Sequence, residues 1–139
     1  MQETYETLDH TADLGIRVFG QNRAKLFENS AWALTHLLTD PTRIFGKHRR
    51  ELRIQGEDAV DLWVNWLREL LALYTVEGRF VHGCRVFRVS ETEVYAKVAL
   101  DDFDPEKHEI RTELKAVTYH EARFEQTDKG FEAQVIFDT

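Results

Sequence analysis

The sequence lacks the cysteines that stabilise small secreted domains and the long apolar runs that span membranes. Among its 139 residues there is a single cysteine, Cys84, so no disulfide can form within the chain and no cysteine-based zinc site can be built. No apolar run is long enough to cross a bilayer, and no charged segment followed by an apolar one opens the chain. These absences indicate a soluble protein of a reducing compartment, with no membrane partner, and we expect it to be cytoplasmic.

Positive charge is also scarce. Lysine and arginine number 18 against 25 aspartates and glutamates, which gives a formal net charge of -7. Because affinity for a phosphate backbone depends on clustered cations, this composition argues against strong direct binding to RNA or DNA. One local exception is the basic cluster of Arg43 and residues 47–50, which is typical of a solvated loop but could also meet an acidic protein surface.

What the chain does contain is a regular succession of strand and helix patterns, in a length that suits one domain over residues 1–139. Two amphipathic helices are predicted, one capped by Asn22 and stopped at Asp40, the other capped by Asp58 and running to Tyr74. Strands are predicted at 4–8, 14–19, 51–55, 84–86, 94–100, 113–125 and 131–137, with an irregular acidic loop at 101–108. The pattern predicts the α+β class, as a two-layer sandwich of one mostly antiparallel or mixed sheet with two helices.

The second helix leaves one large aromatic side chain to be explained. Trp66 falls off the apolar stripe to which Trp63 and Leu67 belong. It either makes a second packing contact inside the protein or lies exposed at an interface with a partner.

Polar residues concentrate in the segment 9–13, Asp-His-Thr-Ala-Asp, directly ahead of a predicted strand. Such a segment is either a turn whose side chains hold the backbone or a site in which Asp13 binds a hard metal ion or contacts a partner. One carboxylate binds no metal well, and Asp138 is the residue that could complete the site. Alternation along the last strand directs Asp138 away from Phe137 and next to the terminal carboxylate of Thr139. These oxygens would suit Ca²⁺ or Mg²⁺, unless the tail is a frayed, solvated end.

Other chemistries are poorly supported. Lys115, in the segment 114–120 of the strand predicted at 113–125, is either an edge charge that discourages sheet pairing or a cation for the acidic cluster or an acidic partner. His10, His108 and His120 could form a zinc site only if three distant segments converged, and no His-x-x-x-His pair is present. The chain has neither a Gly-x-Ser-x-Gly nor a phosphate-binding glycine loop, and its carboxylates do not complete the set of groups that a metal-dependent hydrolase needs.

Five motifs, in this order along the chain, resemble those of the archease family. They are HTADLG at 10–15, WLRELL at 66–71, DPEKH at 104–108, KAVTYH at 115–120 and VIFD at 135–138. The resemblance spans nearly the whole chain. The segment Asp-Asp-Phe at 101–103 departs from the Gly-Glu that the family often carries there, which leaves the roles of Asp104 and His108 open.

The resemblance implies a protein that is not an enzyme but activates an RtcB-type RNA ligase, promoting its GTP-dependent guanylylation and its multiple turnover in tRNA splicing and RNA repair. The alternative that it implies is a chaperone-like modulator of a tRNA methyltransferase. By this resemblance Asp13 and Asp138 match an acidic pair that binds a divalent metal ion together with the last residue, Thr139. The ion expected there is Ca²⁺, with Mg²⁺ or Mn²⁺ as substitutes. Lys115 matches a lysine that acts with the pair in activating the partner.

Overall fold

The computed structural model describes residues 4–8 and 13–139. Within them the chain runs β1 (Tyr5–Leu8), β2 (Asp13–Gly20), α1 (Arg23–Leu38), a 3₁₀ turn (Pro41–Arg43), β3 (His48–Gln55), α2 (Ala59–Thr75), β4 (Arg79–Val89), β5 (Glu93–Asp102), β6 (Ala116–Thr127) and β7 (Gly130–Asp138). The α+β class with two main helices is thereby confirmed. Neither α-helix in this part of the chain combines the length and apolarity that a membrane span requires.

The strands divide between two antiparallel sheets, where the sequence analysis expects one sheet. The first sheet has the order β1-β2-β7-β6 and the second the order β3-β5-β4. Helix α1 packs against β2 and β4, and α2 packs against β6, β4 and β3, so each helix contacts both sheets. Strand alternation shows which residues face a core but not which strands pair, and this is why one sheet could not be told from two.

Both helices begin at the predicted caps. The Asn22 side chain accepts a hydrogen bond from the Lys25 amide at 2.8 Å, and the Asp58 side chain accepts one from the Asp61 amide at 2.8 Å. Each cap satisfies an amide that the first helical turn leaves without a backbone partner.

Trp66 is fully buried, which confirms the packing interpretation and makes the interface interpretation wrong. Its indole N–H donates to Ser30 Oγ of α1 at 2.9 Å. The neighbouring Trp63 donates to the carbonyl oxygen of Gln134 in β7 at 3.2 Å. The two tryptophans of α2 therefore bind different elements, and α2 needs apolar cover on more than one side.

Several predicted strand boundaries are wrong: β3 begins at His48 and not at 51, and β4 spans Arg79–Val89 and not only 84–86. Strand β5 continues through Asp102, because Asp101 and Asp102 still pair with Phe80 and Arg79 of β4. The buried Asp101 carboxylate is tolerated there because it accepts a hydrogen bond from the Phe45 amide at 2.8 Å. Strand β6 begins at Ala116, and its register with β7 is interrupted between Thr118 and Arg123. A bulge of this kind does not disturb the alternation of polar and apolar residues along an edge strand, so the sequence predicts one uninterrupted strand.

Candidate functional site

The candidate site lies at one end of the first sheet, where two acidic residues from opposite ends of the chain meet. Asp13 is the first residue of β2 and Asp138 is the last residue of β7, and the strand register places them directly opposite each other. Opposed residues of an antiparallel pair share one face, with Cβ atoms about 4.5–5.5 Å apart. The structure therefore brings the two predicted carboxylates side by side, with Asp138 exposed and Asp13 partly buried.

Lys115 joins this pair from the position directly before β6, so the structure places it just outside the strand in which the sequence predicts it. Ala116 lies opposite Asp138, and the Lys115 amide donates to the Asp138 carbonyl oxygen at 2.8 Å. The Lys115 side chain is exposed and has no ion-pair partner among the residues that the structure describes. The same end of the sheet thus presents two carboxylates and an amine that can engage another molecule.

Side chains of α2 hold the start of β6, the strand that follows Lys115. The Arg68 guanidinium donates twice to the Val117 carbonyl oxygen, at 3.2 and 3.1 Å, and lies 4.6 Å from the centre of the Tyr119 ring. The Tyr119 hydroxyl donates to the Asp61 carboxylate at 2.6 Å. Because β6 is an edge strand of its sheet, these contacts fix the edge that no other strand covers.

This hydrogen bond also shifts both titrating groups. The hydroxyl of Tyr119 lowers the pKa of Asp61, and the Asp61 carboxylate raises the pKa of Tyr119. Sequence reasoning missed Arg68, Asp61 and Tyr119 as positioning residues. The available signal is that Arg68 and Tyr119 fall inside two of the quoted motifs, WLRELL and KAVTYH.

The donor set at this site fits a hard divalent cation. Carboxylate oxygens of Asp13 and Asp138, with Thr139 next in sequence, are of the ligand type that Ca²⁺ and Mg²⁺ prefer. Over residues 4–8 and 13–139, no three side chains of histidine, cysteine, aspartate or glutamate form a group that could hold a metal ion. The remaining residues of the opening motif, 9–12, lie outside the described residues. The metal ligands therefore stay a prediction.

Among the residues that the structure describes, the histidines form no group that could hold a zinc ion. His108 is 5% exposed, and both ring nitrogens are engaged: Nδ1 accepts from the Asp104 amide at 3.0 Å and Nε2 donates to the Arg43 carbonyl oxygen at 2.8 Å. Since Asp104 also accepts from the Glu106 amide at 2.9 Å, both residues serve to fold the 103–108 loop. His10, the partner considered nearer the start, lies outside the described residues.

The basic cluster at 47–50 is largely neutralised. Lys47 lies 3.9 Å from the Asp101 carboxylate, and His48 lies 3.0 Å from that of Asp102. Arg50 forms two hydrogen bonds of 2.8 Å with Glu77. Residues 48–50 belong to β3 and not to a loop, so their side chains point to different faces of a sheet.

A groove that the sequence analysis did not predict runs between β1, α1 and β4. Its volume is about 970 Å³, and its lining includes Tyr5, Lys25 and Trp32. Trp32 is 48% exposed and stacks on the His36 ring with centres 4.9 Å apart, and Tyr5 hydrogen-bonds the same histidine. The signal for this groove is that Trp32 lies outside the apolar stripe of α1.

Comparison with protein families gives one consistent answer. The model of the archease protein family matches residues 5–139. Proteins named archease from Sulfurisphaera tokodaii and Pyrococcus abyssi are 38% and 36% identical to this chain. The first alignment covers 98% of this chain and 99% of the relative, and the second covers 96% and 97%.

Solved structures agree with these matches. The solution structure of protein 1598 from Methanobacterium thermoautotrophicum superimposes with a TM-score of 0.81 at 30% identity, over 98% of this chain and 99% of that one. The crystal structure of a Thermotoga maritima archease, described as a possible chaperone, gives a TM-score of 0.63 at 22% identity over the full length of both chains, which shows a shared fold.

Proposed function

The chain belongs to the archease family, and from that premise we propose that it activates an RtcB-type RNA ligase without joining RNA itself. The proposed effect is to promote guanylylation of the ligase and its repeated turnover in tRNA splicing and RNA repair. The observation that carries the proposal is the register of β2 and β7, which sets Asp13 opposite Asp138 beside Lys115. A pair of acids and an amine held at one end of a sheet is suited to contact a charged active site.

The two carboxylates are preorganised by the fold. Asp13 and Asp138 belong to strands paired along eight consecutive residue pairs, so their spacing follows from the backbone and not from mobile side chains alone. In the proposed active form Asp13, Asp138 and Thr139 hold a divalent ion, Ca²⁺ with Mg²⁺ or Mn²⁺ as substitutes. The bound ion would supply positive charge that offsets the repulsion between the two carboxylates.

Activation requires that this end of the molecule bind one state of the ligase better than another. A ligand shifts a conformational equilibrium only by its differential affinity, and a tenfold shift needs about 1.4 kcal/mol. We propose that the acidic end docks at the mouth of the ligase active site and favours the arrangement in which the nucleotide is transferred. Asp13 and Asp138 would contact or order the cationic groups there, and Lys115 would contact an anionic group.

The test is RNA joining by a purified RtcB-type ligase, present in limiting amount with GTP and Mn²⁺. Without this protein we expect about one joining event per ligase molecule. With it we expect many, because the proposed effect is to let each ligase molecule turn over repeatedly. Asp13→Asn, Asp138→Asn and Lys115→Gln should each lower the turnover gain by about tenfold or more, the effect of losing one charge-assisted contact.

Matched controls come from the other end of the same hairpin. Asp128 and Lys129 lie exposed in the turn between β6 and β7, and Asp128→Asn with Lys129→Gln changes the same residue types away from the site. These controls should activate the ligase within about twofold of the unaltered protein. The proposal is wrong if the site variants, folded by circular dichroism, activate as well as the controls do.

The metal component is tested separately by calorimetry with Ca²⁺ alone. The unaltered protein should bind the ion, and Asp138→Asn should weaken binding by about tenfold or more because one of the two side-chain carboxylate ligands is lost. Equal binding by Asp138→Asn and Asp128→Asn would refute the metal assignment while leaving the ligase assay to judge partner activation.

A second candidate is a chaperone-like modulator of a tRNA methyltransferase, and the exposed Trp32 in the groove favours it. Such a protein binds its client through apolar surface, which Trp66 cannot provide because it is buried. If a cognate ligase does not respond, suppression of methyltransferase aggregation becomes the relevant assay. There Trp32→Ser should abolish protection and Asp138→Asn should preserve it, and the opposite pattern would exclude this candidate.

A further inference from the structure

The outward face of the second sheet carries positive charge that the net charge of the chain conceals. Residues 94, 96, 98 and 100 of β5 are buried, so the alternate residues of β5 and their partners in β3 and β4 face solvent. Five cations lie on this face: Arg49, Arg53, Arg85, Arg88 and Lys97. Only two acids, Glu51 and Glu93, accompany them, in a chain whose formal charge is -7.

The strand register arranges these side chains in rows across the sheet. Consecutive rows are two residues apart along β3 and β5, about 7 Å, whereas the bulge in β4 makes its second step three residues. The three rows, from β3 through β5 to β4, are Arg49-Ala99-Gly83, Glu51-Lys97-Arg85 and Arg53-Tyr95-Arg88. In the first row Ala99 is buried, and a Cβ on Gly46 would lie 2.8 Å from the Ala99 Cβ, so the loop before β3 covers that position. The row is open only at its β4 end, where nothing lies within 4 Å of where a Gly83 side chain would begin.

Both acids of this face are already paired. Glu93 lies 2.8 Å from Arg53, and Glu51 lies 3.8 Å from Lys97. Within the part of the chain that the structure describes, three exposed cations of this face form no ion pair: Arg49, Arg85 and Arg88. These guanidinium groups retain their full hydrogen-bonding capacity for an external anion.

Aromatic rings lie among the arginines. The β4 bulge between Val86 and Arg88 places Phe87 with 53% of its surface exposed, and its ring centre is 6.0 Å from that of Tyr95. The Arg53 and Arg88 guanidinium carbons lie 5.2 and 5.5 Å from the centre of Tyr95. Aromatic and guanidinium planes on an open sheet are the surfaces on which unpaired bases stack.

We propose that this surface, the Arg–Phe face (Arg49, Arg85, Phe87, Arg88 and Tyr95), binds single-stranded nucleic acid. The three unpaired arginines contact phosphates, and Phe87 stacks with a base. Charge complementarity selects a polyanion, and the exposed ring selects one with unpaired bases over a duplex or an acidic peptide. The inference concerns the second sheet and does not rest on the proposed activation of a ligase through the first. The inference also limits the expectation, drawn from the net charge, that the protein does not bind RNA or DNA strongly. A net charge is an average, and on this protein five of the positive charges lie together on one face.

The number of free arginines sets the expected salt dependence. Each phosphate contact on a single strand contributes about -0.7 to the slope of log K against log salt, so three contacts give about -2. Affinity should then fall by about 20-fold when salt rises from about 50 to about 200 mM. Removal of two of the arginines should reduce the steepness of this slope by about 1.4.

The experiment is fluorescence anisotropy with a labelled single-stranded RNA of about 12 nucleotides, the DNA strand of the same sequence, and the corresponding RNA duplex. The variants are Arg85→Gln with Arg88→Gln, Phe87→Ala, and Phe87→Trp as a conservative replacement. The matched control, Lys107→Gln with Lys129→Gln, removes the same charge from exposed positions outside the face. Circular dichroism establishes that every variant is folded.

The proposal predicts that a single strand binds at low salt and that the double arginine variant weakens binding by about tenfold or more, against less than about twofold for the control. Phe87→Ala should weaken binding by about fivefold or more, and Phe87→Trp should restore it. Preference for the RNA or the DNA strand then identifies the source of the ligand. The proposal is overturned by absence of binding at low salt, by equal loss in the control, by a duplex that binds as tightly as the strand, or by polyglutamate competing as well as nucleic acid.

Discussion

Replacement of Ser30 by alanine should destabilise the protein far more than the loss of a single oxygen atom suggests. Ser30 is fully buried in α1, accepts the Trp66 indole N–H at 2.9 Å and donates to the Phe27 carbonyl oxygen at 2.6 Å. With alanine in its place, the buried indole N–H has no partner. An unsatisfied buried donor costs about 1–3 kcal/mol, whereas the deleted oxygen itself is a small loss of packing.

Two terms set the net magnitude. Alanine is the better helix former in α1, which offsets up to about 0.5 kcal/mol of the loss. We therefore expect Ser30→Ala to lower the free energy of unfolding by about 1–2 kcal/mol. Combined with Trp66→Phe, which removes the orphaned N–H, Ser30→Ala should cost less than it does alone, so the two substitutions should not be additive.

Urea unfolding followed by circular dichroism measures these changes, with an unchanged m-value as evidence that the transition is the same. The chain has one other serine, Ser90, which accepts from the Thr92 amide at 3.2 Å in an exposed turn and is the matched control. Ser90→Ala should cost less than about 0.5 kcal/mol. If Ser30→Ala costs no more than Ser90→Ala, the buried hydrogen bond does not have the role assigned to it.

Two further predictions concern Cys84 and two glycines. Burial, with the nearby Glu28 carboxylate, raises the pKa of Cys84 to about 12. At pH 8 this pKa lowers the thiolate fraction of the folded protein about a thousandfold relative to the unfolded chain, although a more basic thiolate is also a better nucleophile. Alkylation of Cys84 should therefore be about fiftyfold slower in the folded protein than in urea. Comparable alkylation rates would contradict the burial of Cys84. Gly78 and Gly130 both have positive φ, 67° and 136°, but only at Gly130 would a Cβ meet backbone, 2.3 Å from the Gly20 oxygen. Gly78→Ala should cost about 1 kcal/mol and Gly130→Ala about 2 kcal/mol or more in thermal unfolding, and equal costs would show that the contact is relieved elsewhere.

Much of the fold follows from local chemistry and could be predicted from the sequence. The cap side chains of Asn22 and Asp58 each accept a hydrogen bond from the amide three residues later, which is a local contact. The start of each helix can therefore be predicted without knowledge of the tertiary structure. The hairpin of the last two strands is equally local. Sheet membership is not local, because it depends on which strand edges meet, and the bulge in β6 leaves no trace in the alternation of polar and apolar residues.

The candidate site was predicted in its residues but not in its geometry. Asp13, Lys115 and Asp138 were singled out from the residue pattern, and the family resemblance then gave them a joint role. Only the strand register shows that Asp13 lies opposite Asp138, and only the backbone hydrogen bond shows that Lys115 is next to Asp138. The Arg–Phe face was not predicted at all. Its residues come from three strands, and only Arg49 belongs to the basic run at 47–50, whose other members are paired with acids.

The strand pairing that joins Asp13 to Asp138 bears on the order in which the molecule folds. Strands β4 and β5 are separated by three residues, whereas β2 and β7 are separated by more than a hundred. Closing the longer loop costs about 3 kcal/mol more in chain entropy, and contacts of such separation form slowly. The local hairpin of the second sheet can therefore form early, and the acidic pair is complete only when both ends of the chain have docked. A nascent or partly unfolded chain cannot set the two acids side by side, so their pairing marks a molecule that has finished folding.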